Sequence, residues 1–490
     1  MKLRRYGAVL AAASLLLAAC GGDDDDAADE PPAEEPASEP AAEEPAAEEP
    51  AAEEPAAEEP AAEEPAAEEP AGEEPAGEEP AEEPAEPSGD MIIQPGACGL
   101  GTGEEATGEP IRLGGMATNI PGVDFTWIPK MAAIYFDCVN ANGGIYGHPI
   151  EYSYEDVAPD PAVLQSAATK LVETDGVLGI VGNTELLECD VNTEYYEQNG
   201  FKPIIAGVAP GCFLNDTWSA VNMGPYYSNL GAAQAAVRAG AVGKLVAASP
   251  DQPGMDFNNT SVEDMANIAG LEFEGILEPV PIADPAAFAQ RLVDAAGEGG
   301  GVVLNFTGPT VLPLLEAIAQ QGLIDSVIWA SSTPPNDPSV AQALQDCCGS
   351  DWNGKFLINA EFNVLDSGLP DNDKMLEIHA AAGADFPISA FSQMGYLVGK
   401  FTTEALLRMG EGAEYNVETV NAAIGSLVNA ESDMLCKPWY FSNNLGTGNV
   451  SNNTDRTVVP QDGNMVQFED CFEIQETDNN PLAEIRAAEG

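Results

Sequence analysis

Positive charge and histidine are what this sequence has least of. Among 490 residues there are 17 Lys and Arg and 2 His, against 82 Asp and Glu, for a net charge of -65. A chain so acidic repels phosphate backbones and anionic lipid headgroups, which excludes nucleic-acid binding and docking through a basic patch. With two His and no Cys-x-x-Cys pair, metal-ligand spacing is missing, and neither a metal nor another cofactor is expected. Also missing are Gly-x-Ser-x-Gly, His-Glu-x-x-His and Gly-x-x-x-x-Gly-Lys-Ser/Thr. The nearest approach to the last, Gly395 to Lys400, is one residue short and lies in a helical pattern. His148 and His379 read as surface residues, so no catalytic residue is expected. The chain reads as one that binds rather than converts.

Length alone suggests about three domains of roughly 150 residues, and the charge is divided unevenly among them. Residues 21–90 hold 29 acidic residues and no basic one, and residues 91–490 hold 53 acidic and 14 basic, a net of -39. Lys2, Arg4 and Arg5 precede an apolar run, Ala8 to Ala19, too short to span a bilayer, the pattern of an export signal. Its end, Leu17-Ala18-Ala19-Cys20-Gly21, resembles the bacterial lipobox, which implies lipidation of Cys20 and an extracytoplasmic, membrane-anchored protein. From Pro31 to Pro87 a near-pentapeptide repeat, Ala-Ala-Glu-Glu-Pro, follows. Proline at every fifth residue blocks a continuous helix, and paired glutamates repel, so residues 21–110 are expected to form a disordered tether.

After Pro110 short apolar runs alternate with helical periods. Strands are expected at Ile111 to Ala117, Ile150 to Glu155, Val177 to Gly182 and Pro203 to Gly207, then at Lys244 to Ser249, Leu271 to Leu277, Gly301 to Thr307, Ser326 to Ser331 and Phe356 to Ala360. Continuous apolar strands separated by helices predict an α/β fold of two lobes with parallel sheets. Three helical stretches between Asp373 and Asn429 and a strand pair, Cys436 to Phe441 with Met465 to Glu473, complete the pattern. Nine Cys less Cys20 leave eight, and export favours disulfides. Cys189 with Cys212, and Cys436 with Cys471, are the preferred pairs; adjacent Cys347 and Cys348 permit a vicinal bridge or two separate partners, and Cys98 with Cys138 would remain.

The residues Ile111-Arg112-Leu113-Gly114-Gly115-Met116, then Asn142-Gly143-Gly144-Ile145-Tyr146-Gly147 closing a helix, then Ile150 to Asp156, resemble the start of type I periplasmic binding proteins. The resemblance is to the leucine/isoleucine/valine-binding group and extends in element order from Ile111 to Glu473. It implies two Rossmann-like lobes joined by three crossovers, 111–228 plus 362–440 and 229–361 plus 441–476, with 477–490 as a tail. It implies closure on a small ligand and delivery to the permease subunits of an ABC importer; a sensor of the same fold, signalling to a membrane receptor, is the alternative. Carried over by position, the pocket would comprise Phe125 as an aromatic wall, Asn183, Thr184 and Glu185 after the third strand, Ala209 and Gly211 after the fourth, and Met255, Thr307, Gly308 and Ser331 from the second lobe. The hydroxyl that relatives present to a ligand carboxylate falls on Leu186, and their acidic partner for an ammonium falls on Ser331. A buried ammonium without a carboxylate is costly. An ordinary amino acid would therefore need Glu185 or Asp256 turned inward, and a less charged ligand, an amide or small carboxylic acid, is expected instead.

Overall fold

The computed structural model describes residues 91–120, 123–213, 217–252, 255–439, 441 and 453–477. The export signal with Cys20, the repeat and the tail after 477 lie outside these. Residues 91–110, expected in the tether, are packed instead: Ile93, Cys98 and Ala106 are buried, and the Ile92 and Ile93 amides donate to the Glu404 carboxylate at 3.1 and 3.0 Å. Apolar side chains and a disulfide hold this approach to the body.

The first sheet contains β1 (Ile111–Ile120), β2 (Val123–Asp124), β3 (Ile150–Val157), β4 (Gly179–Asn183), β5 (Ile204–Ile205) and β6 (Ser219–Ala220). Its parallel strands run β3-β1-β4-β5-β6, and β2 folds back antiparallel on the end of β1. The second contains β7 (Lys244–Pro250), β8 (Glu272–Glu278), β9 (Gly301–Leu304), β10 (Ile328–Ser331), β11 (Phe356–Ala360), β12 (Thr454–Gln461) and β13 (Asn464–Glu473). Its order is β8-β7-β9-β10-β11, with β12 and β13 added antiparallel at the β11 edge. Both lobes thus repeat one doubly wound order, in which ligand crevices form at the strand carboxyl ends.

Local sequence explains many boundaries. Three helices, Pro161–Thr169, Pro285–Ala296 and Pro338–Cys348, start with an Asp whose side chain accepts backbone amides and a Pro in the first turn. In the turn after helix Trp127–Asn140, Gly143, Gly144 and Gly147 have φ of 101°, 56° and 94°, and a Cβ on Gly144 would stand 2.3 Å from the His148 carbonyl. Three expectations fail here. Among the described residues 436–439 and 441 the strand expected at Cys436 to Phe441 is reduced to an isolated bridge of Trp439 to Ala430, and β13 pairs with Thr454–Gln461 instead. The lobe boundary expected at 228 falls inside helix Gly224–Arg238, which packs on β9, β10 and β11 and so belongs to the second lobe. His379, read as a surface residue, is buried with Nε2 3.0 Å from the Phe386 carbonyl oxygen.

The four disulfides are Cys98–Cys138, Cys189–Cys212, Cys347–Cys348 and Cys436–Cys471. Among the described residues no helix is long and apolar enough to cross a membrane. The first lobe also buries one ion pair completely, Lys400 Nζ with Asp371 Oδ2 at 2.6 Å. Burial alone would raise the Asp371 pKa, but the Lys400 charge and hydrogen bonds from Lys400, Ser432 and the Gly96 amide outweigh it and hold the carboxyl below its usual range. Lys400→Met should cost about 3 to 5 kcal/mol, because it strands a buried carboxylate. A depressed carboxyl pKa stabilises above the unfolded value and loses that contribution as pH falls through the folded one. Urea unfolding of wild type and variant from pH 7 downward checks both: the gap should narrow with acidification.

Candidate binding cleft

The carboxyl ends of the two sheets face each other across a cleft of about 920 Å³, counting the part open to solvent. Helices Gly224–Arg238, Met255–Ala269, Gly308–Gln320 and Ala390–Arg408 begin at its edge, as the doubly wound order requires. Among the described residues the two walls differ in kind. From the first lobe come Val123, Phe125, Leu186, Val208, Phe391 and Met394, with Gly207 and Ala390, and the polar side chain it adds, Asn222, is bonded to the Gly207 amide and carbonyl. Phe125 and Phe391 lie with ring centroids 5.7 Å apart. From the second lobe come Ser228, Asn258, Asn305, Thr307, Thr333 and Glu361, interspersed with Met255, Phe306 and prolines.

Of the residues expected at the pocket, Phe125, Met255 and Thr307 line this cleft. The others do not. Asn183 is turned into the sheet, accepting the Met116 amide at 3.1 Å and donating to Glu188 at 2.6 Å. Thr184 bridges to Ala117, and Glu185 accepts the Thr118 hydroxyl and the Leu187 amide. Ala209 is buried, and Gly211 sits against the Asp190 carboxylate. Gly308 faces Val340, and Ser331 is buried and donates to the Leu304 carbonyl at 2.8 Å. Asp256 is exposed, so neither it nor Glu185 supplies a carboxylate to the cleft. Glu188, next to Asn183, is held well above the usual carboxyl range, to about 8, by burial, against hydrogen bonds from Tyr196 and Asn183.

Glu361 does supply one, and sequence reasoning missed it. It follows β11 immediately, the place where doubly wound folds put ligand residues. The signal was present in the apolar run Phe356 to Ala360 ending at a carboxylate, but the resemblance directed attention to Ser331 one strand earlier. The reason for expecting a ligand with no ammonium therefore falls away.

Glu361 is 2% exposed. Its Oε2 accepts the Met223 amide at 2.7 Å, at the start of helix Gly224–Arg238, where the partial positive end of the helix favours an anion. Its Oε1 is 3.5 Å from the Thr333 hydroxyl, which is in turn 2.8 Å from the Ser228 hydroxyl. Burial pushes the carboxyl up to about 7, against those two donors. Behind it Asp455 is raised well above the usual range by its own burial and by the Glu361 charge; Asn359 and Arg456 oppose the rise. A carboxyl whose folded pKa is raised gives stability that is complete below the unfolded value, about 4.3, and is lost as pH rises through about 7. Glu361→Gln should remove that loss, on the order of 3 kcal/mol between pH 5 and 8. Urea midpoints at the two pH values, compared between wild type and variant, should differ less in the variant.

Comparison with known proteins accords with this architecture. The family model described as "Periplasmic binding protein" matches residues 130–459. A fatty acid ABC transporter substrate-binding protein from Thermomonospora curvata superposes with a TM-score of 0.64 at 17% identity, covering 77% of this chain and 95% of its own. A branched-chain amino acid ABC transporter protein from Thermus thermophilus with bound valine gives 0.64 at 16%, covering 76% and 99%. A solute-binding protein from R. palustris in complex with 4-hydroxybenzoate gives 0.61 at 19%, covering 75% and 98%. A search of curated protein sequences returns no match. With the family model spanning about two thirds of its length and both lobes in the expected order, the chain belongs to the periplasmic binding protein family.

Proposed function

We propose that this protein is an extracytoplasmic, lipid-anchored solute receptor that closes on a small amphiphilic ligand and delivers it to an ABC importer of the branched-chain amino acid type. The observation that carries this reading is the cleft itself, which has an apolar wall from one lobe, a polar wall from the other, and strand carboxyl ends on both sides. A ligand touching both walls stabilises the closed state, and a permease that recognises only that state receives loaded receptor. Cys20 is the proposed lipidation site, with residues 21–90 as the spacer between membrane and receptor. Similarity to proteins named for a fatty acid and crystallised with 4-hydroxybenzoate or valine supports a ligand with an apolar body and one polar end.

In this reading the body rests on Phe125 and Phe391 and the polar end on the second lobe. Phe125→Ala should weaken binding of the co-purified ligand by tenfold to a hundredfold, since removing a buried phenyl contact costs about 1.5 to 3 kcal/mol. Native mass spectrometry of protein purified from its host should show a bound mass in wild type and a smaller bound fraction in the variant. Small-angle scattering should show compaction when ligand is restored after unfolding and refolding. Protein that carries no ligand and never compacts contradicts the proposal.

A further inference from the structure

Outside the cleft, one face of the second sheet buries polar side chains under helix Gly224–Arg238. β11 and β12 pair antiparallel with Asn359 opposite Thr457 and Ala360 opposite Arg456, a register that continues to Glu361 beside Asp455. By strand alternation Asn359, Glu361, Asp455 and Thr457 share one face. The helix meets that face at Gly231. A Cβ there would run into Asn359 Oδ1 and Asp455 Oδ2, so both oxygens lie against the bare Cα. Asp455 and Asn453 are fully buried, and Asn359 is 1% exposed. Two members of the face have partners: Thr457 donates to Glu469 at 2.9 Å, and Glu361 accepts the Met223 amide. The others do not. Neither carboxylate oxygen of Asp455 accepts a hydrogen bond, and Asn359 Oδ1 and both amide atoms of Asn453 are likewise unpartnered. The Asn359 amide nitrogen is turned to the Thr333 hydroxyl at 3.4 Å. Arg456 follows Asp455 in the chain, but its guanidinium donates to the Met434 carbonyl at 3.0 Å.

From this we infer that the cluster under Gly231 binds a calcium ion, held by the Asp455 carboxylate and the amide oxygens of Asn359 and Asn453. A buried acceptor without a donor is costly, and a buried carboxylate without one more so. Water satisfies single acceptors, but it leaves the Asp455 charge and its neighbour Glu361 uncompensated. A metal ion meets both needs. The donors are all oxygen, with no His or Cys among them, which disfavours the softer transition metals and suits Ca2+ or Mg2+. Ca2+ takes carboxylate and amide oxygens in irregular arrangements, with water in the remaining places, whereas Mg2+ demands near-octahedral order and keeps its own water shell. Its two charges match those of Asp455 and Glu361. Glycine at 231 keeps the space open, since any other side chain would collide with the two oxygens. The ion ties β11 and β12 to helix Gly224–Arg238 directly behind Glu361, and the assignment does not depend on what the cleft binds.

The rival occupant is a proton on Asp455, which burial and the Glu361 charge favour. Thermal unfolding separates the two. The acidic repeat takes up calcium loosely at many carboxylates, so the stability of the folded body is the readout rather than total uptake. Full-length protein stripped with EGTA and dialysed is melted at neutral pH in millimolar calcium chloride, in magnesium chloride of equal concentration, and in sodium chloride of equal ionic strength. Calcium should raise the midpoint by about 3 °C or more over either other salt. Asp455→Asn, confirmed folded by circular dichroism, should lose that difference. Equal midpoints in calcium and magnesium, or a calcium gain retained in Asp455→Asn, overturns the assignment and leaves the proton. If the variant does not fold, wild-type crystals grown with calcium decide. An anomalous peak about 2.3 to 2.6 Å from an Asp455 oxygen upholds the site, and clear density without such a peak overturns it.

Discussion

The hydrogen bond from the Met223 amide to the Glu361 carboxyl joins two of the three places where the chain passes between lobes. Met223 lies between β6 and the first helix of the second lobe, and Glu361 lies where β11 hands the chain back. Neighbouring bonds stitch in the third passage. Asn363 donates to the Met434 and Asp433 carbonyls, Arg456 donates to Met434, and the Trp439 indole donates to Ala220. In the proposed receptor, lobe opening would pivot about this cluster, because its members are buried and bonded across the chain crossings. One side chain of the cluster, Glu361, also forms part of the cleft wall, so whatever occupies the cleft acts on the pivot directly.

The division of labour between the walls follows from this placement. The first lobe spends its polar residues inside its own sheet: Asn183, Glu185 and Glu188 bond to Met116, Thr118 and Tyr196 and leave apolar side chains at the cleft. The second lobe keeps its polar residues at the strand ends that face the pivot. A ligand is therefore oriented by polarity before shape is considered, with its body on one lobe and its head near the chain crossings. Contacts of both kinds are made together only when the lobes approach, which links binding to closure.

Much of the fold was legible in the sequence because alternation of apolar runs and helical periods is a property of the chain itself. The glycines at 143, 144 and 147 marked a turn few other residues tolerate, and the Asp-Pro starts at 160, 284 and 337, which the sequence reading did not use, cap helix entries in the structure. The edge pair was misread because Cys436 to Phe441 has strand-like composition, whereas the partner of β13 is chosen by pairing with β11, a long-range condition. The cleft was legible only in part. Phe125, Met255 and Thr307 were expected only from the family resemblance, and they line the cleft because they follow strands or precede helices at its edge. Asn183, Thr184 and Glu185 occupy the right strand end but point into local hydrogen bonds, and no local pattern reveals which way a side chain turns. Glu361 illustrates the converse: its burial and its bond to Met223, 138 residues earlier, exist only once both sheets are built.

The measurement that bears most directly on this account is a crystal structure of the protein closed on the ligand it carries from its host. The account predicts a small molecule with its apolar body against Phe125 and Phe391 and its polar head within hydrogen-bonding distance of Glu361, with the Met223 bond retained. A ligand whose polar head lies instead against Leu186 and Val208, or one bound away from the interlobe cleft, would contradict it.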